Sequence, residues 1–239
     1  MITIIPAIDI IEGKCVRLQK GDYKKKTVYD ESPLEMAKMF EDHGINRLHL
    51  VDLDGAKAKK VINYRILEDI AHKTSLIVDF GGGIKSDEDI RKVFNAGASM
   101  VTIGSVAVNK PELFYGWLDH YGGEKIILGA DILNNQIAIS GWVDVTNISI
   151  NDLLSNYLQR GVRNVLCTDI SKDGMLEGTA MDLYRTLKKE FPSLHFIASG
   201  GIKDIQEIYE LNKIGVSGVI IGKAIYEGRI QVKELTRFL

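Results

Sequence analysis

The sequence predicts a closed (β/α)8 barrel, a cylinder of eight parallel strands ringed by helices, and three observations carry that prediction. Short β-branched apolar runs alternate with stretches of helical period, as in a parallel sheet whose crossovers are helices. Eight such pairs fill 239 residues without a visible linker, close to the roughly 250 residues typical of this fold. The chain also repeats itself: GGGIKSDEDIRKVFNAGASMVTIGSVAV from Gly81 matches SGGIKDIQEIYELNKIGVSGVIIGKAIY from Ser199, so that 81 aligns with 199 and 104 with 222, each 118 apart. An offset of about half the chain is what two duplicated half-barrels of four units each would leave. An open doubly wound sheet is the alternative, and the gapless twofold repeat favours closure. One domain over residues 1–239 is expected.

The first strand, Ile2–Asp9, is nearly all apolar because both faces of a parallel strand are covered, and it closes on Asp9. Ile10–Glu31 follows as an unusually long loop, carrying Cys15-Val16-Arg17-Leu18, Lys20-Gly21-Asp22 and Lys24–Lys26. Long βα loops of this kind are commonly lids. Arg17 has the planar fork that clamps a phosphate with two hydrogen bonds, whereas the lysine run reads as a mobile charged tip. The first helix spans Pro33–His43, opened by Ser32-Pro33 and closed by Gly44.

The second strand is Arg47–Asp52, with His49 spaced for burial, and its helix is Tyr64–Lys73. The third, Leu76–Phe80, contains Asp79 as support for the glycine turn that follows; its helix, Ser86–Ala96, opens on Ser86 with Asp89 three residues on and stops at Gly97. Met100–Ile103 and Lys110–His120 make the fourth unit. The fifth strand, Lys125–Asp131, closes on Asp131 and enters a loop, Asn134–Asn147, with Trp142 beside Gly141, a ring able to stack on a planar heterocycle or to pack ordinarily. Ser149–Arg160 then ends at Gly161. The last three strands are Asn164–Asp169, Leu194–Ala198 and Gly218–Ile221, with helices Asp182–Glu190, Asp204–Ile214 (ended by Gly215) and Val232–Phe238.

Composition narrows the function. A 45% hydrophobic, 26% charged chain builds an ordinary core, and Lys+Arg 30 against Asp+Glu 32 gives a net charge of -2, which argues against a general nucleic-acid or membrane-surface role while leaving room for local basic patches. Cys15 and Cys167 are single thiols that form no CxxC pair, so no zinc site is expected, and with no leader expected before them a reducing cytosol is the expected compartment. The longest apolar stretches, such as Ile4–Ile11, are strand-length and far short of the ~20 residues of a membrane helix. A cytoplasmic monomer is expected, with no metal, cofactor, nucleic-acid or membrane partner.

In both repeats a strand runs into glycines and then a helix, and the next strand runs into a further glycine. Backbone N–H groups at such turns form anion sites, and glycine lets phosphate oxygens approach. One site would use Gly82, Gly83, Gly104 and Ser105, the other Gly200, Gly201, Gly222 and Lys223. A lone glycine of this kind reads as a simple turn; the twofold set predicts a ligand phosphorylated at both ends. Asp9 and Asp131 sit where barrel catalysts sit, at the C-terminal tips of the first and fifth strands, facing each other as a general acid and base. Ion pairing or capping at a strand exit is the competing reading for either alone. Asp52 and Asp169 read as residues that orient neighbours or cap turns. His49 reads as a satisfied interior histidine with a supporting role as the alternative.

Taken together, Pro6-Ala7-Ile8-Asp9, Gly13, Val16-Arg17-Leu18, Lys20-Gly21-Asp22, His49-Leu50-Val51-Asp52-Leu53-Asp54-Gly55-Ala56, Gly81-Gly82-Gly83-Ile84, Gly141-Trp142, Thr168-Asp169-Ile170-Ser171-Lys172-Asp173-Gly174 and Ser199-Gly200-Gly201-Ile202 resemble the phosphoribosylformimino-aminoimidazole carboxamide ribotide (ProFAR) isomerase family of histidine biosynthesis, over the whole chain. The resemblance implies an Amadori rearrangement of a bisphosphorylated ribonucleotide, aminoaldose to aminoketose, without cofactor or metal. It implies Asp9 as general base, Asp131 as general acid and Thr168 as a hydrogen-bonding partner of the sugar. Asp169 and Gly174, in the same sixth-strand motif, join the expected substrate-binding set. The chain departs from the family pattern at Lys85, where arginine is frequent, and at Met175, where threonine is common. The alternatives are the cyclase subunit of imidazoleglycerol phosphate synthase, whose opening typically reads Cys-Leu-Asp-Val, a bifunctional isomerase that also takes phosphoribosyl anthranilate, and a non-catalytic sensor of a bisphosphorylated metabolite.

Overall fold

In the computed structural model, which describes residues 1–239, eight parallel strands close on themselves. They are β1 (Thr3–Ile11), β4 (Arg47–Asp52), β5 (Ile77–Gly81), β6 (Met100–Ile103), β7 (Ile126–Leu133), β10 (Asn164–Asp169), β11 (His195–Ser199) and β12 (Gly218–Ile221). Each pairs in parallel with the next in that order, and β12 returns to β1 with Thr3 beside Gly218. The chain is thus a (β/α)8 barrel, as the alternation and the length predicted. Eight major helices cover it: α1 (Pro33–Asp42), α3 (Tyr64–Lys73), α4 (Asp87–Asn95), α6 (Pro111–Tyr121), α7 (Ile150–Gln159), α8 (Met181–Glu190), α9 (Ile205–Ile214) and the short α11 (Val232–Leu235). No helix is long and apolar enough to cross a membrane.

The expected start and stop signals operate. Ser32 accepts from the Glu35 N–H and Glu35 reaches back to Ser32, a reciprocal capping box, while Ser86 caps α4 through the Asp89 N–H. Gly44, Gly97, Gly161 and Gly215 all take left-handed backbone just past their helices.

Strand residues alternate between two cores. Leu48 and Leu50 of β4, like Ile4 and Ile8 of β1, join the large outer core against the helices, whereas Ile5, Ala7, Ile127, Leu166, Ile197 and Ile220 form a small separate cluster inside the barrel. By the same period of two, Asp9 follows Ala7 on the inner face of β1 and Asp131 follows Ile127 on that of β7. With β1 and β7 four places apart in a ring of eight, the two aspartates face each other across the mouth.

The structure differs from the expectation in the loops. Ile10–Glu31 is a hairpin, β2 (Lys14–Gln19) and β3 (Asp22–Val28), folded antiparallel onto β1, and the lysine run stands exposed on β3 instead of forming a loose tip. The loop after β7 is a second hairpin, β8 (Gln136–Ile139) and β9 (Asp144–Ser149). Short helices α2 (Leu53–Ala58), α5 (Ser105–Asn109) and α10 (Lys223–Tyr226) follow β4, β6 and β12. Only α2 has a strong local cause. Asp52, wholly buried, accepts from the N–H groups of Gly55 (2.8 Å), Ile62 (2.7 Å) and Asn63 (2.8 Å) and from the Asn63 side-chain amide (2.7 Å). It caps and orients this loop, as the sequence suggested. Asp52→Ala strands three backbone donors and should lower stability by about 2 kcal/mol in urea unfolding, with the barrel retained.

Candidate active site

Asp9 is met by Arg17 from the first hairpin, because β2 folds back so that Val16 lies beside Asp9. Arg17 Nη1 is 2.7 Å from Asp9 Oδ2, its Nη2 donates to the Ala7 carbonyl, and its guanidinium lies 4.8 Å from the Tyr226 ring centroid. A Cβ on Gly222 would come within 2.8 Å of the guanidinium carbon, so glycine there makes room for the arginine. Burial opposes the arginine's charge, but Asp9, Tyr226 and Asp173 outweigh it and raise its pKa. Arg17 thereby joins the first acid to the glycine turn after β12. Its Nε remains buried without a partner.

Asp131 is in a different setting. It lies beside Thr168 in the sheet register, and Trp142 of the second hairpin donates its indole N–H to Asp131 Oδ2 at 2.8 Å. Burial pushes this carboxyl above its ordinary range, against the hydrogen bonds from Trp142 and Thr168 and the charge of His49. Trp142 therefore serves an acid here instead of standing free, and it does so with left-handed backbone while its ring covers Gly21 of the opposite hairpin.

A third carboxyl comes to the same place. Asp173, in the turn after β10, is pushed up to about 7 by burial and by the charges of Asp9 and Asp131, against the pull of Arg17 and Lys223. In the sequence it is one loop acid among several, and the signal that sets it apart is local. Gly174 has left-handed backbone and packs on the Leu18 carbonyl, which docks this loop onto the first hairpin and turns Asp173 inward. Asp169 itself accepts from the Ser171 N–H (2.9 Å) and hydroxyl (2.7 Å), an orienting bond within the turn.

The four glycine turns lie on this same face, after β5, β6, β11 and β12, with the two pairs opposite one another in the ring. Gly83 and Gly201 take φ of +81° each, and a Cβ on either would stand 2.5 Å from a carbonyl oxygen, of Lys60 and Gly178 respectively. Gly82 and Gly200 are left-handed as well. Gly104 packs on the Gly129 carbonyl, and Ser105 Oγ accepts from the Ser140 N–H at 3.2 Å. Near the first pair, Lys85 has its pKa lowered by burial and by the charges of Lys59 and Lys110, against the opposing charge of Asp89. On the opposite rim Lys223 Nζ donates to the Gly174 carbonyl at 2.9 Å and lies 3.5 Å from Glu227.

Below the acids, His49 Nδ1 is hydrogen-bonded to Asp79, which is buried inside β5 and does not support the glycine turn as its place in the sequence suggested.

Known proteins extend the comparison. The family model described as histidine biosynthesis protein matches residues 3–231. The chain is 57% identical over 239 residues, 100% of both chains, to a Bacteroides thetaiotaomicron protein named 1-(5-phosphoribosyl)-5-((5-phosphoribosylamino)methylideneamino) imidazole-4-carboxamide isomerase. Proteins of the same name from Phocaeicola vulgatus, 56% identical with full coverage of both chains, and from Cytophaga hutchinsonii, 52% identical over 238 residues with 100% and 99% coverage, are also similar. Across that length the chain belongs to the histidine biosynthesis protein family.

Proposed function

We propose that this chain is the isomerase its relatives are named for, converting the aminoaldose ProFAR into the aminoketose PRFAR, with Asp9 and Asp131 as its acid–base pair. One observation carries the reading most: two carboxyls face each other across the mouth in opposite electrostatic settings, Asp9 ion-paired to Arg17 and Asp131 driven toward its neutral form by burial. Such a pair divides the work between base and acid.

In the reaction the acid, Asp131, gives its proton to the ribose ring oxygen. The ring opens as the nitrogen lone pair forms a C1′ Schiff base. That cation acidifies the C2′ hydrogen, Asp9 removes it, and the resulting enolamine gains a proton at C1′ while the C2′ hydroxyl loses one to become the ketone. C1′ is reduced and C2′ oxidised within one molecule, so the balance closes without an external oxidant. Thr168, which lies beside Asp131 in the sheet register, is assigned as the hydrogen-bonding partner of the sugar. The terminal phosphates are assigned to the two glycine pairs, with Lys59, Lys85 and Lys110 adding charge at one rim.

Asp173 serves as a proton reservoir beside both acids. Its folded pKa lies above its ordinary value, at about 7, so it carries its proton below that pH and loses it above. Turnover should fall as pH rises through about 7, and Asp173→Asn should flatten that limb in a kcat/KM–pH profile. The stability sign is linked: between the ordinary aspartate value and about 7 the folded state binds the extra proton, so stability falls with rising pH in that window. The same variant should therefore melt higher than wild type at pH 8.

The test of the whole reading is a spectrophotometric assay on ProFAR with and without ammonia. Conversion of ProFAR to PRFAR supports the isomerase; consumption of PRFAR with ammonia would instead mark the cyclase.

A further inference from the structure

The glycine turns after β5 and β11 are braced from behind in the same way. At the 118-residue offset that aligns the two repeats, Val61, Lys85 and Asp89 fall on Thr179, Lys203 and Glu207. Asp89, on α4, accepts from the Lys85 N–H through Oδ2 (3.2 Å) and from the Val61 N–H through Oδ1 (3.1 Å). Glu207, on α9, accepts from the Lys203 N–H through Oε2 (2.9 Å) and from the Thr179 N–H through Oε1 (3.1 Å). Each carboxylate thus ties the glycine turn of its own unit to the loop of the unit before it, Val61 lying in the loop after β4 and Thr179 in the loop after β10. Asp89 is buried and Glu207 half-buried.

Helix capping alone does not produce this pattern. Asp89 and Glu207 are third residues of their helices, where an acid ordinarily reaches back to the N-cap residue and closes a box. Glu35 does so on α1, taking the Ser32 N–H and hydroxyl, and Asp152 on α7 takes the Ser149 hydroxyl. The acids of α4 and α9 reach past the N-cap to the residue before it and across to a second loop, and these are the two helices that follow the glycine turns after β5 and β11. The groups they hold are also the walls of those turns. Val61 and Thr179 follow directly on Lys60 and Gly178, whose carbonyl oxygens leave Gly83 and Gly201 no room for a Cβ. With the Lys85 and Lys203 N–H groups committed to carboxylates, those of Gly82, Gly83 and Ile84, and of Gly200, Gly201 and Ile202, donate to no backbone carbonyl.

We propose that Asp89 and Glu207 are a twofold pair of positioning residues, each holding the phosphate cradle of one rim and so setting the affinity for one end of the bisphosphorylated sugar. The inference rests on the isomerase reading and its assignment of the terminal phosphates to the glycine pairs. Neither acid touches the ligand. Each works through the backbone, fixing the direction of a turn whose uncommitted N–H groups meet phosphate beside a helix N-terminus, where hydrogen-bond strength falls steeply with misalignment. A carboxylate suits the task because both groups it anchors are donors; an amide offers one oxygen and turns its own donors toward the second N–H. The phosphates take no part in bond making, so a looser cradle weakens substrate and transition state alike.

Asp89→Asn and Glu207→Gln test this on the full chain, read by 31P NMR of PRFAR bound to each protein and by steady-state kinetics on ProFAR. In wild type both phosphate resonances should shift on binding. Asp89→Asn should return one of them toward its free position and Glu207→Gln the other, with KM for ProFAR raised about tenfold and kcat within about threefold of wild type in each. A merely structural role would lower the melting temperature and leave both resonances and KM where they were, which overturns the proposal, as does a variant that moves both resonances alike. Should an amide variant fail to fold, Asp89→Glu and Glu207→Asp keep the charge and alter only its reach, and the same division of one resonance to each variant is required of them. An inactive wild type, or one that shifts a single resonance, refutes the isomerase reading with its two cradles. An active wild type with two shifted resonances that the variants do not divide between them refutes this inference alone.

Discussion

Asp131→Asn should leave the fold intact and lower kcat by about 10³-fold, with ProFAR affinity changed by no more than a few-fold. The amide keeps an oxygen to accept from the Trp142 indole N–H, now 2.8 Å from Asp131 Oδ2, so the second hairpin stays in place. What it loses is a carboxyl whose neutral form burial favours and which is able to donate a proton to the ring oxygen. Asp9→Asn makes the contrast. It removes a base, and it also leaves the buried Arg17 guanidinium without the carboxylate 2.7 Å away, so it should lose turnover and stability together. Steady-state kinetics with calorimetric binding and thermal melts on the two variants separates these outcomes. Equal losses of binding and turnover at Asp131 would favour a metabolite sensor over an enzyme.

Gly83→Ala should cost about 4 kcal/mol of stability, because two penalties coincide at this turn. The residue sits at φ +81°, where an L side chain is strained, and its new methyl would stand 2.5 Å from the Lys60 carbonyl oxygen and 2.7 Å from the carbonyl carbon. Those atoms are backbone, held in the loop that Asp52 organises through Ile62 and Asn63, so they cannot swing aside as a side chain would. Relaxation must move the first glycine turn itself. Urea unfolding measures the stability, and phosphate protection against unfolding should weaken in parallel.

Much of the architecture is legible in the sequence. The closed barrel follows from eight alternating runs, and the opposition of Asp9 and Asp131 follows from their places at the ends of the first and fifth strands, because position in a parallel barrel is set by strand order and a period of two. Helix limits are legible where a side chain enforces them, as at Ser32 and Ser86. The hairpins are not: Ile10–Glu31 reads as a lid, since the pairing of β2 with β1 depends on tertiary register and the lysines on β3 have no amphipathic alternation to betray a strand. Nor is the traffic between loops and acids. That Arg17 spends its fork on Asp9, that Trp142 holds Asp131, and that Asp173 turns inward all depend on loops docking onto one another across the mouth. Asp79 reads as a turn support because its strand is expected to end one residue later, at Phe80; the strand runs on to Gly81 and Asp79 bonds sideways to His49 and Thr102, which makes it an interior residue.

The central claim is that two facing carboxyls work on a sugar held by phosphates at opposite rims, and a crystal structure of the Asp131→Asn variant with bound ProFAR tests it most directly. One phosphate should rest on Gly82, Gly83 and Gly104 and the other on Gly200, Gly201 and Gly222, with C2′ of the sugar within reach of Asp9. A complex in which a single glycine pair holds phosphate, or in which the sugar lies away from residues 9 and 131, would contradict it.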